Sequence, residues 1–505
     1  MGFSELLHTI GGMGKFQILQ TALMMFPALL ISCHNFLQNF TAITPEHHCR
    51  PANWTNGSHA PGGVGDGDLL RVFIPLDKDQ KPERCLRFSE PHWQILSLND
   101  TSSLSLDTEV CLDGWVYDQS VASSIVSEWD LVCKHKSLKS IAQSIYMMGQ
   151  LVGATVFGIF SDRCGRKAAL RSGILLMMAA GTSAAFSPSF LAYCVLRFLS
   201  GMAMTGIIIT SLSMEWTPTQ RRTLVNIYTM YMVTLGQVVL TGLAYLIRPW
   251  RWLQGTLSVA YVIILLYSWY VSSQTPRGLR RVALAGALSS VVRLHMQEDT
   301  AAIKETPFLL DLFRTPGLRR TTCCIALGWF SAGFSFFGLG LDVQKFGFNI
   351  YWTQLLFTVV DFPMKLVTGL SMGYFGRRIT AISLQLVAGC VILVTSFLPR
   401  DLNTFKMILC LFGKGSLAGC FSCLYLYTME LFPTEVRQTG MSAGIFSTRL
   451  GSLLSPLVYI LGNHSPVLQP VMFGLVPILA AAAGSFLIET NNQPLLNTIQ
   501  ETEKR

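Results

Sequence analysis

Charged residues are scarce in this chain of 505 amino acids. Asp, Glu, Lys and Arg together make up 13% of the sequence, whereas hydrophobic residues make up 50%. A soluble domain usually has about a quarter of its residues charged. The formal net charge of +9 does not indicate a nucleic-acid-binding protein, because the basic residues form short clusters between apolar runs. The composition indicates an integral membrane protein.

Sequence motifs of enzymes and ATP-driven pumps are also missing. The stretch LFGKGS lacks the leading Gly and the Ser or Thr after Lys that a phosphate-binding loop needs, and neither HExxH nor GxSxG occurs. We therefore predict no enzyme activity, no cofactor and no metal site. The pair His47 and His48 precedes Cys49, and this favours solvated histidines beside a disulfide over metal ligands.

Long apolar runs occur twelve times. About 20 apolar residues are needed to cross a hydrocarbon core roughly 30 Å thick. The predicted spans are residues 16–36, 138–160, 168–186, 190–211, 224–247, 252–271, 321–343, 351–374, 379–398, 404–427, 438–461 and 466–488. The N-terminus lacks the features of a removable signal peptide, so we expect the first span to act as its own insertion signal. The predicted fold class is an all-α membrane protein.

Basic residues predict the orientation, because cytoplasmic loops carry more Lys and Arg. One set of loops has Arg163, Arg166, Lys167, Arg221, Arg222, Arg377, Arg378, Arg437 and the basic segment 272–320. The other set has Arg248, Arg251, Lys345, Arg400 and Lys406. We predict a cytoplasmic N-terminus (1–15), a first half (16–271) with an external loop (37–137), a cytoplasmic linker (272–320), a second half (321–488) and a cytoplasmic tail (489–505).

The external loop has the features of an extracellular segment. It is rich in Pro and Gly and has four cysteines, which allow two disulfides in three possible pairings. These cysteines are Cys49, Cys85, Cys111 and Cys133. Four glycosylation sequons are present, at Asn39, Asn53, Asn56 and Asn99. We predict a disulfide-bonded glycoprotein.

Two pairs of cytoplasmic loops are similar in sequence. MEWTPTQRR after the fourth span matches MELFPTEVRQ after the tenth at an offset of 215 residues, and GIFSDRCGRK after the second matches GLSMGYFGRR after the eighth at an offset of 211. Positive-inside anchoring explains the shared arginines but not the shared Glu, Pro, Thr and Gly. Two repeats of the same orientation are typical of secondary transporters, in which the substrate binds near mid-membrane between the halves.

The repeated loops contain the candidate gating residues. Asp162 can pair with Arg163 or Arg166, or lie against the positive N-terminus of a helix, and such contacts would break when the halves separate. The alternative is that Asp162 only balances a basic turn. Together the candidates are Asp162, Arg163, Arg166, Glu215, Arg222, Glu430 and Arg437.

Several stretches resemble known families. DRCGRK and ELFPTEVRQTG resemble the major facilitator superfamily, and HNFLQNFTA, HHCRP, DGWVYD, SEWDLVC, AQSIYM, LDVQKFG and VVDFPMKL resemble the organic anion transporters of the organic ion transporter family, solute carrier 22. The resemblance implies a major facilitator fold with twelve transmembrane helices in two pseudo-symmetric halves. It also implies a plasma-membrane exchanger of amphipathic, sulfated or carboxylated organic anions against a counter-anion such as a dicarboxylate, with membrane lipids and no nucleic acid as further partners.

The chain departs from the family after the sixth span. SWYVSSQTPRGLRRVALAGALSSVV replaces the Pro-Glu-Ser and Arg-Trp-Leu signature, and the linker is shorter than in the family. Three readings therefore stay open. The chain is an anion exchanger, an organic cation or zwitterion carrier, or a non-transporting or trafficking-defective isoform.

Arg449 lies in the middle of the eleventh span. A guanidinium there costs roughly 2.5 to 3.5 kcal/mol on insertion scales and does not deprotonate. Asp361 is the main acidic residue within a span, and Lys365 follows it at the i+4 spacing of an intrahelical pair. This leaves Arg449 without an evident partner, so we predict that it binds the substrate anion. The alternative is a structural arginine paired to a carboxylate.

Other candidate binding residues are less specific. Lys365 either contacts the anion, as the resemblance implies, or pairs with Asp361. Lys414 is a third charge or lies in a close helix contact, and Arg197 belongs to the transport machinery rather than the substrate site. Asn35 is a possible hydrogen-bond donor.

Aromatic residues are expected to form the apolar wall that an amphipathic anion needs. The resemblance places Phe336, Phe337, Tyr231, Phe421 and Tyr425 at positions that line the family's cavity. The first two are tyrosines in several relatives, so we predict a preference for more hydrophobic anions over small dicarboxylates.

Overall fold

A computed structural model gives the architecture. It describes residues 15–50, 66–77, 81–92, 107–118, 123–211, 222–266, 312–341, 344, 347–399, 402–433, 436–462, 467–491, 493 and 499–500. Helices lie at all twelve predicted positions. They are α1 Lys15–Phe36, α2 Lys136–Cys164, α3 Arg166–Ala185, α4 Phe190–Ser211, α5 Arg222–Leu246, α6 Trp250–Val259, α7 Pro316–Leu341, α8 Ile350–Tyr374, α9 Arg377–Phe397, α10 Asn403–Leu431, α11 Arg437–Gly462 and α12 Leu468–Gly484.

Within the described part of the chain, nine helices are long and apolar enough to cross a membrane. These are α2 to α5 and α7 to α11. The regions of α6 and α12 are shorter apolar helices, Trp250–Leu266 and Leu468–Gly484. The mostly helical fold agrees with the prediction, and α1, α6 and α12 occupy the three remaining predicted positions.

The two halves repeat the same helix packing. Helix α1 packs against α5 as α7 packs against α11, and α3 packs against α4 as α9 packs against α10. Helices α1 and α4 are also in contact, as are α7 and α10. These equivalent pairs are six helices apart, so the internal repeat seen in the loops extends to the helix arrangement.

Glycines bring α2 and α4 close together. A Cβ on Gly149 would overlap the carbonyl oxygen of Phe198, and a Cβ on Gly201 would overlap that of Tyr146. Small residues allow two membrane helices to approach backbone to backbone. This contact places the buried side chain of Arg197 beside Tyr146.

The outer segment is a compact unit of its own, formed by residues 40–139 with 248–250. Two short antiparallel pairs occur in it, β1 His47–Cys49 with β4 Trp115–Tyr117 and β2 Leu86–Phe88 with β3 Thr108–Val110. Helices in this segment are short, Asp66–Phe73 and Ile125–Glu128. Cys49 is bonded to Cys111 and Cys85 to Cys133, which is one of the three pairings that four cysteines allow.

Asn39 is not placed as a glycosylation site should be. Its side chain is 6% exposed, and its amide nitrogen donates to the Gly340 carbonyl at 2.6 Å and to Gln354 Oε1 at 2.9 Å. A glycan would replace one of the two hydrogens on this nitrogen, so at least one of these bonds would have to break and the sugar would need space beside a buried side chain. The observed conformation therefore disfavours glycosylation at Asn39, and Asn53, Asn56 and Asn99 lie outside the described residues.

Candidate functional site

Arg449 reaches from α11 in the second half to α2 in the first. Its Nη1 donates to the side-chain oxygen Oε1 of Gln150, and its Nε is buried without a hydrogen-bond partner in the described ranges. No carboxylate of a described residue lies within ion-pair distance of the guanidinium. Arg449 thus has a neutral partner and unused N–H donors.

Asn35 connects three side chains of α2. Its Oδ1 accepts from Tyr146 Oη at 3.2 Å and from Gln150 Nε2 at 2.7 Å, and its backbone oxygen accepts from Gln143 Nε2 at 3.4 Å. Gln150 therefore uses its nitrogen on Asn35 and its oxygen on Arg449. Asn35 orients the glutamine amide that meets the arginine, which makes it a positioning residue.

Gln150 and Tyr146 were not singled out from the sequence. A signal was available, since Gln143 and Gln150 are seven residues apart in an otherwise apolar span and so share one helical face. Polar residues inside a span are costly and usually point to the interior of a helix bundle.

Lys365 also reaches across the two halves, from α8 to α5. Its Nζ donates to the backbone oxygen of Met230 at 2.8 Å and to Thr234 Oγ1 at 2.6 Å. Asp361 is not within ion-pair distance of Lys365 in this conformation, although the two side chains attract each other electrostatically. Like Arg449, Lys365 is held by neutral groups of the opposite half.

Asp361 instead pairs with Lys414 of α10. The Lys414 Nζ lies 3.0 and 3.2 Å from the two carboxylate oxygens and also donates to the Phe357 carbonyl at 2.7 Å. Gly415 allows this approach, because a Cβ there would lie 2.8 Å from both Met364 and Val360. The neighbouring helix is close enough to supply a better partner than the i+4 lysine, and Lys414 is 0% exposed.

The predicted aromatic residues form two groups. Phe336 and Phe337 lie against Phe36 of α1 with ring centroids 6.0 and 5.6 Å away, and Phe336 also contacts Phe421 at 5.4 Å. Phe36 is a member of this cluster that the sequence alone did not single out. Tyr231 lies elsewhere, stacked on Phe362 at 5.8 Å.

Tyr425 packs against the core of the second half, and so does Phe421. The structure therefore brings Phe336, Phe337 and Phe421 together, whereas Tyr231 stacks on Phe362. Tyr231 of the first half stacks on Phe362 of the second half, and Phe36 of the first half contacts Phe336 and Phe337 of the second. Both groups of rings therefore bridge the two halves.

The candidate gate is only partly within the described residues. Glu215 lies outside them, and so do the side chains of Asp162, Arg166 and Arg222. Arg163 is exposed at the end of α2. Arg437 donates through Nε to the Phe432 carbonyl at 3.2 Å.

Glu430 belongs to a network within the second half. Arg377 Nη2 donates to its Oε1 at 3.1 Å and Thr490 Oγ1 donates to its Oε2 at 2.7 Å. Glu489 caps the start of α9 by accepting from the backbone nitrogens of Arg377 and Arg378. In this conformation the described partners of Glu430 are Arg377 of the second half and Thr490 of the segment that follows it, so a gating role for Glu430 stays a prediction.

Two halves of six helices, with cations from one half bonded to the other across their interface, define a membrane transporter of the major facilitator class. The family described as Major Facilitator Superfamily matches residues 124–456. More particularly, the chain belongs to solute carrier family 22 within that superfamily. It is a multi-pass membrane protein of a family of transporters rather than enzymes.

The relatives match along the whole chain. Solute carrier family 22 member 20 of Mus musculus is 45% identical, and organic anion transporter 3 of Homo sapiens is 42% identical. Each alignment covers 100% of this chain and 94% of the relative. Solute carrier family 22 member 6-A of Xenopus laevis is 41% identical over the same shares.

Among solved structures, the inward open xylose transporter XylE of E. coli has a TM-score of 0.63 at 14% identity. The match covers 96% of this chain and 98% of XylE. At this identity the likeness concerns the fold alone.

Proposed function

We propose that this protein exchanges amphipathic organic anions across the plasma membrane, with both termini in the cytoplasm. Support comes from one observation above all. Arg449 and Lys365 each carry a positive charge to the interface of the halves, and each is bonded only to neutral groups there. The named relatives include organic anion transporters.

A substrate anion can compete for both cations. The bond from Arg449 to Gln150 has an ionised donor and a neutral acceptor, whereas a carboxylate or sulfate adds a negative charge and can accept two N–H bonds from the guanidinium, so the anion replaces Gln150 as the preferred partner. The same reasoning applies to Lys365 and Thr234. Anion binding therefore exchanges contacts between the halves for contacts to the substrate.

Alternating access follows from where the halves meet. Asn39 at the end of α1 is bonded to Gly340 and Gln354, and Ser144 Oγ of α2 donates to the Leu453 carbonyl at 3.1 Å. In the predicted orientation these contacts lie toward the outer ends of the helices. Rocking of the halves would break these contacts and open the interface to the outside.

The apolar part of the substrate would face the phenylalanine cluster. Phe336 and Phe337 offer ring surface without hydroxyl donors, which favours hydrophobic anions over small dicarboxylates. A dicarboxylate or monocarboxylate counter-anion would use the same two cations in the return step. Glycosylation of the outer loop would fall on Asn53, Asn56 or Asn99.

The test combines surface biotinylation with uptake of estrone sulfate, para-aminohippurate and tetraethylammonium in transfected cells. We expect estrone sulfate uptake, with Arg449→Ala abolishing it at an unchanged surface amount and Arg449→Lys retaining part of it. Tetraethylammonium uptake without anion uptake would contradict the proposal. Surface protein that transports none of the three would favour the non-transporting isoform that the altered linker sequence raises. Preloading cells with glutarate or nicotinate then tests exchange.

A further inference from the structure

Three exposed arginines lie at the start of α7. Arg314 precedes the helix, which begins at Pro316, and Arg319 and Arg320 lie in its first two turns. None of the three has a salt bridge to a carboxylate of a described residue. Like charges this close together repel one another unless a negative group lies between them. The basic patch formed by Arg314, Arg319 and Arg320 therefore has no counter-charge in the described part of the chain.

The start of α9 shows how other arginines of the second half are paired. Arg377 Nε lies 3.1 Å from Glu430 Oε2 in an ion pair. Glu489 accepts from the backbone nitrogens of Arg377 and Arg378, and the side chain of Arg378 donates to the Ser485 carbonyl. Both helix starts fit the excess of basic residues in cytoplasmic loops. Among the described residues, however, protein acceptors neutralise the arginines of α9 and not those of the basic patch.

Exposed aromatic rings lie beside the basic patch. Phe313 precedes Arg314 and is 43% exposed, and Phe486 follows the end of α12 and is 61% exposed. The guanidinium carbon of Arg320 lies 5.1 Å from the centre of the Phe486 ring. Basic groups next to exposed apolar rings are typical of surfaces at the boundary of a bilayer, where the rings enter the apolar region and the charges meet the headgroups. The basic patch thus has the composition of a lipid-facing surface.

We propose that the basic patch binds the headgroup of a phosphoinositide. A phosphomonoester carries a charge of about −1.5 to −2 and three acceptor oxygens, and planar guanidinium groups bind such oxygens in pairs. Phosphatidylserine has a phosphodiester instead, so it should bind more weakly here. In the proposed orientation the patch faces the cytoplasmic leaflet, which contains phosphatidylinositol lipids. Lipid binding at this patch rests on the proposed orientation and not on the proposed cargo.

A bound headgroup would stabilise the second half. Helix α7 packs against both α11 and α12, and the ring of Phe486 joins the end of α12 to Arg320. A phosphate held by Arg314 and Arg319 would relieve the repulsion within the patch and fix the start of α7 beside the end of α12. The lipid is therefore a stabilising ligand at the edge of the bundle.

Lipid binding can be measured without transport. The full chain is placed in nanodiscs of phosphatidylcholine that are pure, contain phosphatidylinositol 4,5-bisphosphate, or contain phosphatidylserine at the same total charge. A ligand that binds only the folded state raises the melting temperature. We expect a larger rise with the bisphosphate lipid than with phosphatidylserine. No rise with the bisphosphate lipid, or an equal rise with phosphatidylserine, would overturn the proposal.

The nanodisc result is independent of the proposed function. Both faces of a nanodisc carry the same lipids, so the orientation of the chain does not affect the measurement. A negative result here would leave the anion uptake experiment unaffected, and a lack of anion uptake would leave the lipid measurement unaffected.

Two matched pairs of substitutions assign the site. Arg314→Gln with Arg319→Gln removes two charges of the patch, and Arg163→Gln with Lys167→Gln removes two exposed charges of the first half. Each arginine near a membrane surface changes lipid affinity about fivefold, so the first pair should raise the half-maximal lipid fraction about thirtyfold. The second pair should leave it unchanged. Equal changes in the two pairs would overturn the proposal.

A lysine pair separates phosphate recognition from attraction by charge alone. Arg314→Lys with Arg319→Lys keeps both charges but removes the paired N–H bonds to phosphate oxygens. The half-maximal lipid fraction should rise, although by less than in the glutamine pair, and the melting temperature in pure phosphatidylcholine shows that each variant is folded. An unchanged fraction in the lysine pair would overturn headgroup binding by the two guanidinium groups.

Discussion

Equivalent helices of the two halves each bury one cation but neutralise it differently. Lys414 of α10 has the carboxylate of Asp361 within 3.0 Å and is satisfied inside its own half. Arg197 of α4 has an aromatic ring and no carboxylate within the described residues. The buried cation of α10 is thus neutralised within its own half, whereas the first half presents neutral amide and hydroxyl groups to two further cations of the second half, Arg449 and Lys365.

The interface repeats this asymmetry. The 215-residue offset that relates the loops after α4 and α10 also relates Thr234 to Arg449. On one side of the interface, Arg449 of α11 carries the charge and Gln150 of α2 is the neutral acceptor. On the other side, Lys365 of α8 carries the charge and Thr234 of α5 is the neutral acceptor. Both cations that reach across the interface, Arg449 and Lys365, therefore come from the second half.

The largest expected effect is a loss of folded protein when the ion pair between Asp361 and Lys414 is broken. Asp361→Asn leaves Lys414 buried without a counter-charge, and loss of one partner of a buried pair costs about 3 to 5 kcal/mol. We expect little folded protein at the cell surface, measured by biotinylation and by fluorescence-detected size exclusion.

The matched control for this change replaces both charges. Asp361→Leu combined with Lys414→Met removes the ion pair altogether, which is often neutral for stability. Recovery of surface protein in the double variant is expected. If the single Asp361→Asn variant is as abundant as the unaltered protein, Lys414 does not depend on this carboxylate.

The next largest effect is expected when Arg449 is given a carboxylate partner, as Lys414 already has in Asp361. Gln150→Glu gives Arg449 a fixed carboxylate, with which a substrate anion must compete. Because hydrogen bonds to charged groups contribute about 1.5 to 3 kcal/mol, anion uptake should fall roughly ten- to a hundredfold. The surface amount should be unchanged, and Gln150→Asn serves as the neutral control. Uptake at the unaltered level would show that Arg449 does not bind the cargo.

A smaller effect is expected on the opposite side of the interface. Thr234→Val removes the hydroxyl that accepts from Lys365 and leaves the Met230 carbonyl in place. One neutral acceptor contributes about 0.5 to 1.5 kcal/mol, so the affinity for a labelled anion should change by less than about tenfold. Thr234→Ser keeps the hydroxyl and should match the unaltered protein. A complete loss of uptake in Thr234→Val alone would instead indicate a structural role for Thr234.

The smallest effect concerns selectivity. Phe336→Tyr and Phe337→Tyr each add one hydroxyl to the aromatic cluster, and a single new hydrogen bond contributes about 1 kcal/mol. We expect the uptake ratio of glutarate to estrone sulfate to rise about fivefold. Phe334→Tyr is the control, because that ring packs on Phe473 rather than in the cluster. An equal change of this uptake ratio in all three variants would show that the selectivity does not depend on the cluster of Phe336 and Phe337.

Much of the fold was predictable because its signals are local. Each span is a continuous apolar run, and the fourth was predicted at 190–211, where α4 is Phe190–Ser211. The repeat offsets predicted two equivalent halves, and the helix contacts follow the same pattern. The sequence was sufficient to select Arg449 as a candidate anion ligand, because a charged residue stands out in an apolar helix. It did not reveal that Gln150 is the partner of Arg449.

The sequence by itself determined that this chain is a membrane protein of two similar halves with an unusual cation in the eleventh span, because hydropathy, charge and repeated motifs are read along the chain. Only the tertiary structure decided which charges meet. Asp361 pairs with Lys414 rather than with Lys365 four residues away, Asn39 is buried in a contact between halves, and Arg449 is bonded to Gln150. These choices depend on which helices pack closely enough for side chains to reach, and that distance is a property of the assembled bundle.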